Sequence, residues 1–449
     1  PIRWTFRPRT NCWWGGHGAQ EVDSPPGSAV PGVKTLGACK AACVDTPAFG
    51  CEAIIWNTAL NKCFRKRHID VQSCSMDGVL DLYMRNDKRP ASAAVPLIID
   101  TDMAFDVDDV LAVCMAHALH DLGEAKLLAV VHDSGYPEGI GAVSVLNHYY
   151  GHDDEVALGA YKGTFGKDLE TSGREWKTGP YVPLLVNGWP SPVKSSEQVP
   201  EAVALYRRLL AAADDSSVAI ASVGFATNLE ALLKSPADAI SPLTGKDLVA
   251  KKVKVVVYQG GFYPPRHTQK EIDARVPNDE FNWGCGRRWF YPLDGCEGTA
   301  SYVTKNMPSN VEQIFSEVGF MFPTGQTLLQ CATETNPCRQ ALVATLQDWN
   351  QDPSNGRASW DAIVTLTAVR GATGVGGHKG GVGGKNMVDD GGTNHWVPGT
   401  GSTQSYLVLE GDAYWKKMDE DIRAGHGPPT LTEMKDEINR LLCRPPVER

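Results

Sequence analysis

No apolar run in this chain approaches the length of a membrane-spanning helix, so no membrane span is expected. No Lys/Arg-rich patch stands out against a net charge of −10, so a nucleic-acid partner is not expected either. No Asn-x-Ser/Thr triplet occurs, and N-glycosylation is therefore not predicted. No leader-like segment is seen; the chain begins at Pro1, as a processed or trimmed chain would. The C-x2-C spacing of structural zinc sites is also missing. At 449 residues the chain exceeds one ordinary domain and can bury a large core.

Cysteine is what the chain has in quantity. Its 12 cysteines are an even number, so complete pairing is allowed, and an extracellular, secreted protein is the economical reading. Cys12, Cys39, Cys43, Cys51, Cys63 and Cys74 crowd the first part of the chain. Cys285 and Cys296 are close in sequence, as are Cys331 and Cys338, which leaves Cys114 and Cys443. An amphipathic helix is expected over Leu431 to Cys443, and Cys443 could tie it to Cys114 where geometry allows.

Residues 1–85 read as a disulfide-rich module, with a helix over Thr35 to Val44 and short strands at Cys51 to Trp56, Lys62 to Phe64 and Leu80 to Tyr83. The C-x3-C on a helix, a further Cys and then x-x-C-F resemble a PAN/apple domain, a small α+β fold. That resemblance implies the pairing Cys12–Cys74, Cys39–Cys63 and Cys43–Cys51; six cysteines by themselves allow fifteen pairings. It also implies a protein or glycan ligand, the alternative being a stapled cap with none. Residues 86–96, polar and then small and bounded by Pro90 and Pro96, read as a linker to a domain over 97–449.

The chain is organised around Val95 to Asp109. An apolar strand pattern runs into five aspartates within ten residues: Asp100, Asp102, Asp106, Asp108 and Asp109. Leu111, Cys114, Met115, Ala118 and Leu119 then repeat with helical period. The reading is buried strand, acidic loop, helix. Asp106 can cap the helix, while Asp108 and Asp109 meet its positive end. A cation would relieve the remaining repulsion, and hard oxygen ligands favour Ca²⁺ or Mg²⁺ over zinc. An EF-hand loop fails, because Phe105 stands at its glycine position and Leu111 at its closing glutamate.

Downstream, strand and helix patterns alternate. Strands are expected at Lys126 to Val131, Val156 to Gly159, Val218 to Val223 and Lys252 to Tyr258; helices at Ile140 to Tyr150, Glu201 to Ala213 and Asn228 to Lys234. This argues an α/β fold with an open, mostly parallel sheet flanked by helices. Asp100, Asp102, Asp133, Val223 and Gln259 all fall at strand ends, which would bring them to one rim. Gly371 to Gly392 reads as a flexible glycine-rich loop, since it does not fit a phosphate-binding G-x4-G-K-[S/T].

The acidic stretch resembles the nucleoside hydrolase family, and more closely its branch with a D-T-D-x-G-x-D-V-D-D loop; Ala104 replaces the glycine. Three further motifs follow in the family's order. Ser222 to Leu229 is similar to G-P-L-T-N-L, Asn278 to Asn282 to A-E-F-N, and Asp361 opens a helix after Trp360, where many members have histidine. The resemblance implies a calcium-dependent hydrolase of the N-glycosidic bond of ribonucleosides, in a chain whose cysteines read as secreted. It implies Ca²⁺ ligands Asp102, Asp109, Asp361 and the Val223 carbonyl, with Asp102 as general base. Asp100, Asp108, Glu280 and Asn282 would hold the sugar or support the site, and Trp360 would stack on the base or be ordinary core. Whether Asp106 or Asp108 fills the family's penultimate position is left open by the longer loop. Partners would be a nucleoside or ribose-like molecule and a second copy of the chain. One alternative is an extracellular structural or adhesive protein that keeps this fold without turnover. A haloacid-dehalogenase-like phosphatase is a poorer fit, since its second acidic pair comes much later than the one here.

Overall fold

The computed structural model describes residues 4–7, 9–13, 19–22, 27–44, 51–67, 69, 73–85, 94–167, 179–261, 281–285, 295–409 and 429–447. The chain divides into two compact units, Pro1–Ser92, and Ala93–Ala372 with Gly376–Arg449.

In the first unit, strands β1 (Trp4–Arg7), β2 (Thr10–Asn11), β3 (Gln20–Glu21), β4 (Ala53–Asn57), β5 (Lys62–Arg67), β6 (Ser75–Met76) and β7 (Leu80–Arg85) accompany one helix, Leu36–Val44. The helix starts at Thr35, whose hydroxyl accepts a hydrogen bond from Ala38 N at 3.1 Å. The sheet runs β1-β7-β4-β5-β3, antiparallel in every pair described, and β2 pairs with β6. Ile54 and Trp56 pack on one face with Cys39, Cys43, Cys51 and Cys63, while Ala53, Ile55 and Leu82 face the other way with Cys12. The bridges are Cys12–Cys74, Cys39–Cys63 and Cys43–Cys51. A unit this small has little core of its own, so these bridges carry much of its stability.

The second unit carries a nine-stranded sheet. Its strands are β8 (Val95–Thr101), β9 (Ala125–His132), β10 (Ala157–Ala160), β11 (Val218–Ser222), β12 (Val253–Gln259), β13 (Glu312–Ser316), β14 (Gly377–Val388), β15 (Asn394–Ser402) and β16 (Gln404–Leu409). The order is β10-β9-β8-β11-β12-β13-β16-β14-β15. All pairs from β10 to β16 are parallel; β14 is antiparallel to β16 and to β15. Every residue of β11 is buried, as expected of a central parallel strand covered on both faces. From β8, sequence order runs outward to β10 on one side and through β11 and β12 to β13 on the other, so the crevice beyond β8 and β11 is a topological switch point. Among the described residues no helix is long and apolar enough to cross a membrane.

Two expectations are corrected. The glycine-rich segment is a strand, not a flexible loop: β14 lies between β16 and β15. Several of its glycines are there for want of space. A Cβ on Gly380 or Gly381 would strike the Tyr406 ring, and one on Gly384 would strike the Trp396 indole. Glycine here admits aromatic rings onto the sheet. The second correction concerns cysteine. Cys443 does not reach Cys114. The bridges are Cys114–Cys338 and Cys331–Cys443, beside the expected neighbours Cys285–Cys296. Cys114 lies on the helix Asp108–Asp121 and Cys338 on Pro337–Asp348, while the terminal helix Pro429–Leu442 brings Cys443 to Cys331. All twelve cysteines are paired, which belongs to an oxidising compartment.

Candidate functional site

The rim above β8, β9, β11 and β12 collects the acidic loop. β8 delivers Asp100 and Thr101; Asp102 to Val107 form the loop, and the helix Asp108–Asp121 begins directly after. Ala104 is buried and takes no left-handed backbone, so the glycine it replaces is not required for the turn. Gly224, after β11, sits so close to Asp102 and Asp133 that no side chain fits there. It draws the ends of β8, β9 and β11 together.

Asp100 lies beneath the rim, fully buried. One oxygen accepts from Asn228 Nδ2 at 2.8 Å and the other from Tyr206 OH at 2.9 Å. Burial pushes its carboxyl up to about 7 despite those two hydrogen bonds. Asn228 Nδ2 also donates to the His132 carbonyl at 3.1 Å, tying β9 to the helix that starts at Thr227.

Asp108, Asp109 and Asp361 come together, one carboxylate oxygen from each lying within 4.8 Å of the others, and all three are buried. Asp361 is in the first turn of the helix Trp360–Gly374, as Asp108 and Asp109 are in theirs, so two helix N-termini offset the negative charge. Thr101 Oγ1 donates to Asp109. Asp102 is buried beside this group and adds its charge to that of Asp109 and Asp361. Burial, and then mutual repulsion, push Asp108, Asp109, Asp133 and Asp361 well above the ordinary carboxylate range.

Asp106 does not cap the helix. The cap position is Val107, with no side-chain hydrogen bond, and Asp106 instead pairs with Arg357. Arg357 Nε donates to both Asp106 oxygens at 2.9 and 3.0 Å, and Nη2 donates to one of them. This leaves Asp108, not Asp106, beside Asp109 and Asp361. Nothing in the local sequence foretells a partner 251 residues away.

The residues fit a divalent cation. The donors are hard oxygens, and neither oxygen of buried Asp133 makes a hydrogen bond of good geometry, the Phe225 backbone giving only a weak one. Asp133 faces the charges of Asp100, Asp102 and Asp109, a position that a group of ionised carboxylates tolerates only with a cation among them. The Val223 carbonyl lies on the same rim and accepts from Asn282 Nδ2 at 2.8 Å; the same amide donates to Gln259 Oε1. Gln259 in turn donates to Glu317 at 2.9 Å, which extends the polar rim to the end of β13. Phe105, Phe225 and Phe281 make an apolar wall, with ring centroids 5.4 to 5.8 Å apart. Trp360 is half-buried and carries the Arg357 guanidinium 5.2 Å from its ring. Glu280 lies outside the described residues.

No protein-family model matches the chain. No curated protein matches its sequence. Among solved structures, type III effector protein XopQ complexed with adenosine diphosphate ribose aligns with a TM-score of 0.50 and 14% identity, over 80% of this chain and 96% of that one. The large unit shares that fold. An inosine-guanosine nucleoside hydrolase gives 0.44 and 15%, over 77% and 98%. A plant nucleoside hydrolase gives 0.45 and 12%, over 78% and 99%.

Proposed function

We propose that the large unit hydrolyses the N-glycosidic bond of ribonucleosides with a bound Ca²⁺. The observation that carries this is the convergence of Asp108, Asp109 and Asp361, with Asp102 as a charged neighbour, on the rim that also carries the Val223 carbonyl and Asn282. Four separate segments, all singled out for the same chemistry, meet there. The solved effector of the same fold holds adenosine diphosphate ribose, itself a ribosyl compound.

Asp102, Asp109, Asp361 and the Val223 carbonyl would hold the cation, and Asp108 stands close enough to join them. Bound there, Ca²⁺ would supply a binding point for the sugar diol and make a neighbouring water more acidic. The remaining steps belong to this chain. Asp102 takes the proton of the attacking water. The water oxygen bonds to the anomeric carbon as the bond to the base breaks, through an oxocarbenium-like sugar. Asn282 is fixed by its two hydrogen bonds and, with Glu280, would grip the hydroxyls. Asp100, with both oxygens engaged, holds the floor of the site in shape.

The paired cysteines support an extracellular setting, and the bridge pattern of residues 1–85 supports a PAN/apple-like module with a glycan or protein ligand. The test of the central reading is release of free ribose from a panel of nucleosides, with Ca²⁺ and with chelator, beside Asp102→Ala. Cation-dependent turnover lost in the variant is expected. Folded, calcium-binding protein that turns over no nucleoside would sink the hydrolase reading in favour of a structural role.

A further inference from the structure

An N-glycosidic bond breaks with its electron pair going to the base. Some group must meet the charge that builds there, and no histidine precedes Asp361. The structure offers another cation. Arg357 sits four residues before Asp361, and its charge is felt by Asp106, Asp108 and Asp361. Its guanidinium is held in one orientation. Nε and Nη2 are bound to Asp106, and the guanidinium carbon lies 4.9 Å from the centre of the Trp349 ring and 5.2 Å from that of the Trp360 ring. Among the described residues Nη1 has no acceptor, and 21% of the side chain stays exposed. A guanidinium bonded through two nitrogens and set against two indoles is more than a surface ion pair, because its third nitrogen is held in place at little cost in entropy.

We propose that Arg357 is the residue that meets the departing base, donating from Nη1 to an acceptor on a purine, and that Trp349 and Trp360 hold it in place. A single Nη1 donor can meet one acceptor such as N7, which every purine carries, so purine nucleosides are the class it fits and inosine is the probe. Arg357 remains charged throughout and gives up no proton. The C1′–N9 pair leaves on N9, water oxygen bonds to C1′, and the water proton passes to Asp102. The base anion, hydrogen-bonded to Arg357, takes a proton from solvent, and Asp102 returns its own to solvent. This assignment rests on the hydrolase reading above, and goes beyond it in naming the leaving-group contact.

The experiment compares inosine with p-nitrophenyl riboside, whose leaving group departs without help, in wild type, Arg357→Met and Arg357→Lys. Arg357→Lys keeps a charge for Asp106 and so guards against simple misfolding; calcium binding checks that each variant retains the site. For Arg357→Met, kcat/KM on inosine is expected to fall about 100-fold, the scale of one lost transition-state donor, with p-nitrophenyl riboside nearly unchanged. Arg357→Lys, lacking the fork, should fall between. Equal loss on both substrates, or no loss on inosine, overturns the assignment. Titration of hypoxanthine, followed by tryptophan fluorescence, separates this idea from the hydrolase reading. If wild type turns over neither substrate, that reading fails, yet binding weakened about tenfold in Arg357→Met still upholds the contact. Equal hypoxanthine binding by both proteins in that case overturns it.

Discussion

Lowering the pH puts the floor of the site under a load that can be worked out from His132. This residue ends β9, is fully buried, and neither ring nitrogen makes a hydrogen bond of good geometry. Burial holds its pKa down to about 4 from 6.5, against a weaker upward pull from the Met103 and Ser134 backbone. The unfolded chain therefore takes up a proton near pH 6.5 that the folded chain refuses until about 4. Stability from this group is complete above pH 6.5 and is lost as pH falls toward 4; the difference of about 2.5 units (6.5 − 4) corresponds to about 3 kcal/mol. The raised carboxylates around it act with the opposite sign. They gain protons in the folded state first, so falling pH favours the fold through them. Wild type alone cannot separate the two effects, and a variant must. His132→Leu has similar volume and fits the slot that Gly139 leaves against the ring. Urea unfolding of the large unit, followed by its helix signal in chelator, is measured at several pH values from about 7.5 to about 4. The leucine variant should lose less stability on acidification, the gap moving in its favour by about 3 kcal/mol. Parallel curves for the two proteins would refute the reasoning, because His132 would then titrate alike in both states.

Four further outcomes follow from the same structure. Ca²⁺ at 100 times its dissociation constant should stabilise the large unit by about 2.7 kcal/mol, and Asp361→Asn should lose most of that shift in a thermal melt read with and without chelator. Because burial raises these carboxyls, the calcium-free His132→Leu variant should gain stability in urea unfolding as pH falls through their range, and the ion should matter most at neutral and higher pH. Replacing Cys331 and Cys443 together with serine opens a link across 112 residues and should cost about 2–5 kcal/mol by urea unfolding, with little change if the terminal helix is held by packing alone. Gly384→Val sets a side chain against the Trp396 indole and should destabilise by about 1–3 kcal/mol; an unchanged midpoint would show that the ring moves aside freely.

What could be read ahead of the structure divides by the range of the interactions involved. The acidic loop was legible because its parts are contiguous: an apolar strand, crowded aspartates and a helical period specify strand, loop and helix by local rules. The rim was legible because parallel sheets send every strand's carboxyl end to the same side, so Asp100, Asp133, Val223 and Gln259 had to gather once the strands were identified. The errors lie where a distant residue decides a local outcome. Asp106 has the chemistry of a cap, and only Arg357, 251 residues on, makes it an anchor. Cys114 pairs across 224 residues, and no spacing encodes that. The strand Gly377–Val388 has the composition of a loop, because glycine removes side-chain packing from a strand. Here the packing is returned by its neighbours, as Tyr406 on β16 and Trp396 on β15 lay their rings over the bare backbone. Composition describes what a segment brings to a contact, and in this strand the contact is made by what the other two bring. The same asymmetry holds at the site. The crowded aspartates are written in one stretch, while Asp361, Asn282 and Arg357 arrive from segments that only the assembled sheet brings near.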